Sequence, residues 1–203
     1  MQLKRLPAQR SCLMHIRKKR KNNEMTRKTL ITYGSQYGST EHYARKFAAL
    51  NGFPVLPFNE AADMDDYDRV IHFGALYAGG VLGLRRIASR LASKTSLVIV
   101  TVGLADTEDA ENIRKIRGSI RSQVADEILR RTEIFHLRGA IDYDRLNFKH
   151  RTMMALLYAK AKQLPEKNAE TRAMIETYGK QVSFVNDAAL IRLTDAVRAL
   201  GSE

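Results

Sequence analysis

Leu30-Ile31-Thr32-Tyr33-Gly34-Ser35-Gln36-Tyr37-Gly38-Ser39-Thr40 is a β-rich run that ends on a glycine and passes into a hydroxyl-rich loop. The four residues before Gly34 have the branched and aromatic character of a short buried strand. Ser39 or Thr40 is the expected start of a helix, either side chain being able to cap its exposed amides. Gly34 and Gly38 let the backbone turn tightly and approach a ligand. The hydroxyls of Ser35, Ser39 and Thr40, the unpaired amides and the positive end of the helix dipole together make a cradle for a monophosphate. No Lys or Arg lies between Gly34 and Thr40. The Gly-x-x-x-x-Gly-Lys pattern of triphosphate loops and the Gly-x-Gly-x-x-Gly pattern of dinucleotide loops are both absent from this stretch. A glycine-rich strand-to-helix turn without a ligand is the alternative reading of the same residues.

Outward from this loop, short strands alternate with amphipathic helices from Lys28 on, the pattern of a parallel sheet covered on both faces. The first helix has an apolar stripe of Tyr43, Phe47 and Leu50, with Ala44 and Ala48 beside it, and Asn51-Gly52 stops it. A second strand is expected near 53–58, where Pro54 and Pro57 favour a sheet edge. Asp63, Asp65, Asp66 and Asp68 precede a third strand, Arg69 to Gly74. They lack the spacing and closing Glu of a calcium loop and read as a solvated turn. The stretch from Gly74 to Gly83 reads as a glycine-rich connection to a helix with Leu84, Ile87, Ala88 and Leu91 on one face. Leu97 to Val100 and Val102 form a continuous apolar run, as in a central parallel strand. Residues 106–131 are polar and basic and partly helical, and a fifth strand lies within 134–141. Helices are expected over about 148–164 and 187–200, the last with Leu190, Leu193, Val197 and Leu200 inward.

The 203-residue chain is large enough for one domain with a sizeable core. Its net charge of +12 is unevenly spread. Eight basic residues against Glu24 alone give residues 1–24 a net +7, leaving +5 for the rest. Residues 1–26 are therefore expected to be a basic, disordered tail, and 27–203 the folded domain. The tail's alternatives are a contact with an anionic membrane surface or nucleic acid, the latter disfavoured. Cys12 is the single cysteine, which rules out an internal disulfide and suits a reducing cytoplasm. Cytoplasmic localisation is the expectation, with peripheral contact at the inner face of the membrane as its extension. His15, His42, His72, His136 and His150 are scattered without zinc-ligand spacing, so no metal site is expected. His42 is expected to be exposed and His72 to lie in a strand.

The segment Thr32 to Glu41 resembles the flavodoxin phosphate loop, in which hydroxyls and amides wrap the phosphate of flavin mononucleotide (FMN). Gln36 and Tyr37 stand where many flavodoxins have threonines. Tyr67-Asp68-Arg69-Val70-Ile71, Gly74-Ala75-Leu76-Tyr77 and Arg138-Gly139-Ala140-Ile141-Asp142-Tyr143 are similar to the bacterial flavodoxin-like, menaquinone-dependent protoporphyrinogen oxidases. A basic, apolar helix at 149–162 follows, as in that group. The resemblance spans about 27–200. It implies a flavodoxin-like α/β fold, a doubly wound five-stranded parallel sheet of order 2-1-3-4-5 with helices on both faces, and FMN as cofactor. Carried over residue by residue, it places the cofactor at Ser35, Gln36, Tyr37, Gly38, Ser39 and Thr40. It adds Ala75, Leu76, Tyr77, Ala78 and Gly79 after the third strand, and Gly103, Leu104 and Asp106 after the fourth.

The same resemblance implies hydride transfer from a reduced substrate to FMN and passage of electrons to a quinone. An electron carrier serving a redox partner protein is the alternative. The absence of Trp, the aromatic-free loop Thr101 to Asp106 and the basic charge favour the enzyme over the carrier, with one face of the flavin ring left open to a substrate. Arg114, Lys115, Arg117, Arg121, Arg130 and Arg131 are candidates for holding the substrate's carboxylates. Met153, Met154, Leu156, Leu157 and Tyr158 spread over more than one face of their helix, through core packing or through a membrane or quinone contact.

Overall fold

In the computed structural model, which describes residues 27–145, 148–165, 171 and 175–200, strand β1 (Thr29–Gly34) is buried along its whole length. It pairs in parallel with β2 (Val55–Pro57) on one side and β3 (Arg69–Tyr77) on the other. β5 (Ser96–Gly103) and β6 (Glu133–Arg138) continue the parallel ladder, so the order is β2-β1-β3-β5-β6. Counting the parallel strands alone, this is the expected 2-1-3-4-5 sheet. β2 is the edge strand, where Pro57 costs no internal ladder bond.

Strand alternation splits the core in two. Ile31, Tyr33, Ile71, Phe73, Val98, Val100 and Val102 pack on one face against α1 (Ser39–Asn51) and the final helix, α6 (Ala189–Ala199). Leu30, Val70, Leu97 and Ile99 pack on the other against α2 (Leu84–Ala88) and α3 (Ala110–Arg121). A short α4 (Asp126–Leu129) leads into β6. Burial of the α1 stripe is carried by Tyr43, Ala44, Phe47 and Ala48, but Leu50 is 55% exposed. The expected stripe was one residue too long: α6 covers only the inner arc of α1, and Leu50 falls beyond it. Gly52, at φ 69°, closes α1 in the left-handed conformation that favours glycine.

Three departures from the sequence reading concern the carboxyl end of the sheet. β3 does not stop at Gly74 but runs to Tyr77, and β4 (Gly80–Val81) folds back on it antiparallel. With Leu76 opposite Val81 and Tyr77 opposite Gly80, only Ala78 and Gly79 form the turn. Both have positive φ, 51° and 78°, as a two-residue hairpin of matching twist requires. The fifth strand is likewise two elements. β7 (Ala140–Asp142) leaves the main sheet after Gly139 and pairs antiparallel with β8 (Gln181–Ser183). A 3-10 turn (Tyr143–Arg145) then leads to α5 (Phe148–Gln163). The basic stretch 1–26 lies outside the described residues.

Candidate functional site

The carboxyl ends of β1, β3, β5 and β6 open onto one cavity of about 340 Å³. This is where an open parallel sheet gathers ligands, at the point where strand order reverses about β1 and β3. β1 delivers the loop 35–38, whose last residue, Gly38, takes φ 93° and begins α1. No side chain caps that helix, so neither Ser39 nor Thr40 has the capping role expected of it. The positive φ of Gly38 turns the chain into the helix without presenting a side chain to the first amides. Gly38 donates its own N–H to Ser35 Oγ at 3.2 Å, tightening the loop. The amides opening α1 are thus left to an anion, which the helix dipole also favours.

Gln36, Tyr37, Ser39 and Thr40 line the cavity on the loop side. Ala75, Leu76, Tyr77 and Ala78 line it from the β3–β4 hairpin, and Gly103 and Leu104 from the end of β5. Ser35 and Gly38 shape the loop without forming the wall. Gly79 sits at the hairpin tip, and Asp106 turns back to accept the Glu108 amide at 3.0 Å; both lie outside the lining. Gly34 belongs to β1, and its lack of a side chain serves packing: a Cβ there would stand 2.2 Å from Leu82 O.

The cavity also takes in residues that the sequence reading named without assigning them to the cofactor: Val102, Ala105, Gly139, Ala140, Ile141, Met153, Met154 and Leu157. Gly139 is the closest approach of the β6–β7 link to the loop, since a Cβ on it would stand 2.7 Å from Ser39 Oγ. Met153, Met154 and Leu157 come from α5. Met154 is buried, Leu157 is 43% exposed and Leu156 is 68% exposed, so this helix has both a cavity-lining side and an uncovered apolar one. Arg138 fixes the loop after β5 by donating from Nη2 to Leu104 O at 3.2 Å, with its guanidinium over Phe184.

The site is weakly polar. Tyr37 and Tyr77 meet edge to face at 6.5 Å between ring centres, and the Tyr77 hydroxyl donates to Met153 Sδ at 3.5 Å. Burial, and next the neighbouring Tyr77, raise the Tyr37 hydroxyl above its ordinary range. Burial, with Tyr37 and Tyr178 adding to it, pushes Tyr143 up to about 12. These phenols therefore stay protonated. His72 and His136, both on the α2–α3 face, are held down to about 4 by burial and stay neutral. His42 is exposed, as expected, and meets Asp187 at 2.9 Å.

A family model described as the flavodoxin domain matches residues 30–168. The chain belongs to the flavodoxin domain family. Among solved structures with a similar fold are a flavoprotein of Lactobacillus acidophilus in complex with FMN and a flavodoxin mutant of Pseudomonas aeruginosa. The first is 12% identical, covers 56% of this chain and 93% of its own, and has a TM-score of 0.40. The second is 17% identical, covers 72% and 98%, and has a TM-score of 0.36. A Fusobacterium nucleatum flavodoxin mutant bound to FMN is 14% identical, with coverage of 59% and 72% and a TM-score of 0.37. A search of curated proteins gave no match.

The flavodoxin domain accounts for the arrangement described above, and FMN is the cofactor of this fold. The residues present fit it. The cavity falls within the roughly 300–1,000 Å³ usual for small ligands and cofactors. Its phosphate end has uncapped helix amides and hydroxyls, and its ring end has aromatic and aliphatic walls. Among the described residues, no helix is long and apolar enough to cross a membrane.

The six basic candidates fall apart in space. Lys115 borders a second pocket next to the cavity. Arg114, Arg117 and Arg121 occupy successive turns of α3 leading away from it, and Arg130 and Arg131 follow α4 at the opposite, amino-terminal end of the sheet. Arg131 there donates to Ser93 O.

Proposed function

We propose that this flavodoxin domain is an FMN-dependent oxidoreductase of the protoporphyrinogen-oxidase type, oxidising a reduced small-molecule substrate and handing the electrons to a quinone. One observation carries the reading: the loop after β5 offers Gly103, Leu104 and Ala105 to the cavity, with no aromatic ring. A carrier protects its flavin between bulky aromatic side chains, whereas here Gly103 and Ala105 leave room for a second ring system. When bound, FMN supplies two-electron oxidation of an organic substrate and release of those electrons to an acceptor. The protein's share is position and environment. Uncapped amides of α1 and the Ser39 and Thr40 hydroxyls hold the phosphate, while Tyr37 and Tyr77 set the orientation of the ring. Met153, Met154 and Leu157 keep water from the reacting face and give an apolar quinone a surface on which to dock.

Purified protein supplied with FMN is expected to retain it through gel filtration and to show visible flavin absorption. Loaded protein is then expected to oxidise protoporphyrinogen with a menaquinone analogue as acceptor. Retained FMN without substrate turnover, together with rapid electron exchange with a partner protein, would establish the carrier instead.

A further inference from the structure

A second pocket of about 280 Å³ adjoins the cofactor cavity and shares Leu76, Tyr77, Ala78 and Ala105 with it. Its far wall is α3, through Asn112, Lys115, Ile116 and Ser119. Asn112 is 3% exposed. Its amide nitrogen donates to Asp106 O at 3.0 Å, which fixes the carboxamide, while its Oδ1 is buried with no hydrogen-bond partner among the described residues. An unmet buried acceptor is destabilising, and a ligand donor would relieve it. The Lys115 ammonium stands one helical turn on, 2.8 Å from Glu111 Oε1 and with a side chain 36% exposed. The opposite wall is the Ala78–Gly79 turn, pinned to α3 by Ser119 Oγ donating to Gly79 O at 2.8 Å.

We infer that this pocket is the specificity subsite for an acidic arm of the substrate, with Lys115 taking a carboxylate and Asn112 Oδ1 accepting from an N–H or O–H donor on the same molecule. The inference rests on the oxidoreductase reading and narrows its substrate to ring compounds that carry a carboxylate within reach of the flavin. Uncharged ring compounds gain nothing from Lys115. The shared wall lets the arm enter while the ring stays in the main cavity, and the pocket is too small for the ring itself. Lys115 is the only one of the six basic candidates that borders either pocket. Its partner Glu111 is 46% exposed, so water can replace the ammonium when a ligand takes it.

The test uses FMN-loaded full-length protein and two probes, protoporphyrin IX as the free diacid and as its dimethyl ester, with binding followed by quenching of porphyrin fluorescence. The variant Lys115→Glu is expected to weaken the diacid at least 10-fold and leave the ester unchanged, while Lys115→Arg restores most of the diacid affinity. Asn112→Asp, which replaces the Nδ2 donor by a second acceptor facing Asp106 O, is expected to weaken both probes. FMN retention should be the same in both Lys115 variants. Equal weakening of both probes in Lys115→Glu, or no effect on either, overturns the subsite. Failure of the unmodified protein to retain FMN overturns the underlying reading instead.

Discussion

His72 Nε2 lies 2.9 Å from Leu82 O, and because a carbonyl oxygen only accepts, this nitrogen carries the proton. Nδ1 is then the acceptor, and Thr32 Oγ1 donates to it at 2.9 Å. One neutral imidazole thus joins β1, β3 and the chain leaving β4, directly beneath the site. The segment it holds crosses so close to the sheet that a Cβ on Gly74 would stand 2.2 Å from Val81 Cγ1. The hairpin bearing Ala75 to Ala78 is therefore positioned from below by His72.

Stability should fall in acid through this residue. Its pKa drops from 6.5 unfolded to about 4 folded, with burial the main cause. The unfolded chain therefore binds the extra proton between those values, and stability is fully present above about 6.5 and lost progressively toward 4. The fully buried ring carries on the order of 3 kcal/mol of this effect. Urea unfolding at pH 7 and pH 5 should show the loss, and a His72→Gln variant should show a shallower pH dependence. Equal slopes in the two proteins would dismiss His72 as the source.

Ala78 is the one non-glycine residue with positive φ among the described residues. The left-handed conformation costs a residue with a Cβ about 1–2 kcal/mol. Glycine would remove that cost while adding roughly 0.5–1 kcal/mol of unfolded-state entropy. Ala78→Gly should therefore raise stability by about 0.5–1 kcal/mol, seen as an upward shift in Tm. A lower Tm would mean that the methyl group packs against something the turn needs.

Gly34 is a harsher position. A methyl group there would stand 2.2 Å from Leu82 O and 2.8 Å from its carbonyl carbon, both rigid backbone atoms. Gly34→Ala should cost at least the roughly 1–3 kcal/mol typical of overpacking. Because Leu82 also anchors His72, the variant should unfold at lower urea and lose part of the pH dependence described above.

Much of this fold was legible because its signals are local. The branched run from Leu30 to Tyr33, the apolar run from Leu97 to Val100 and the helical spacing of Leu190, Leu193 and Val197 each state both an element and the face it buries. The hairpin after β3 was not legible, since Ala78 adopts a conformation its residue type disfavours, and Gly80 read as a loop residue although it sits in a strand. β7 was hidden because its partner, β8, lies about forty residues away in sequence. The site divided in the same way. The phosphate loop is contiguous and could be read; Gly139, Ile141 and Met154 reach the cavity only through the ribbon and α5, which no local pattern connects to β1.

Gly139→Ala separates cofactor binding from folding. A methyl group there would stand 2.7 Å from Ser39 Oγ and 2.9 Å from Val102 Cγ1, both side-chain atoms, so rotation of Ser39 relieves the closer clash and a small shift at Val102 the other. The expected stability loss is therefore about 1 kcal/mol, at the low end of overpacking. Rotation of Ser39, however, swings its hydroxyl away from the amides that open α1, where a phosphate would be held. A hydrogen bond to a charged group contributes about 1.5–3 kcal/mol, so FMN affinity should fall roughly 10- to 100-fold. Titrating apoprotein with FMN by fluorescence, alongside a urea curve, measures both quantities. Riboflavin, which lacks the phosphate, should bind the variant and the unmodified protein alike. If riboflavin lost as much affinity as FMN, the Gly139 backbone would be serving the ring instead of the phosphate loop.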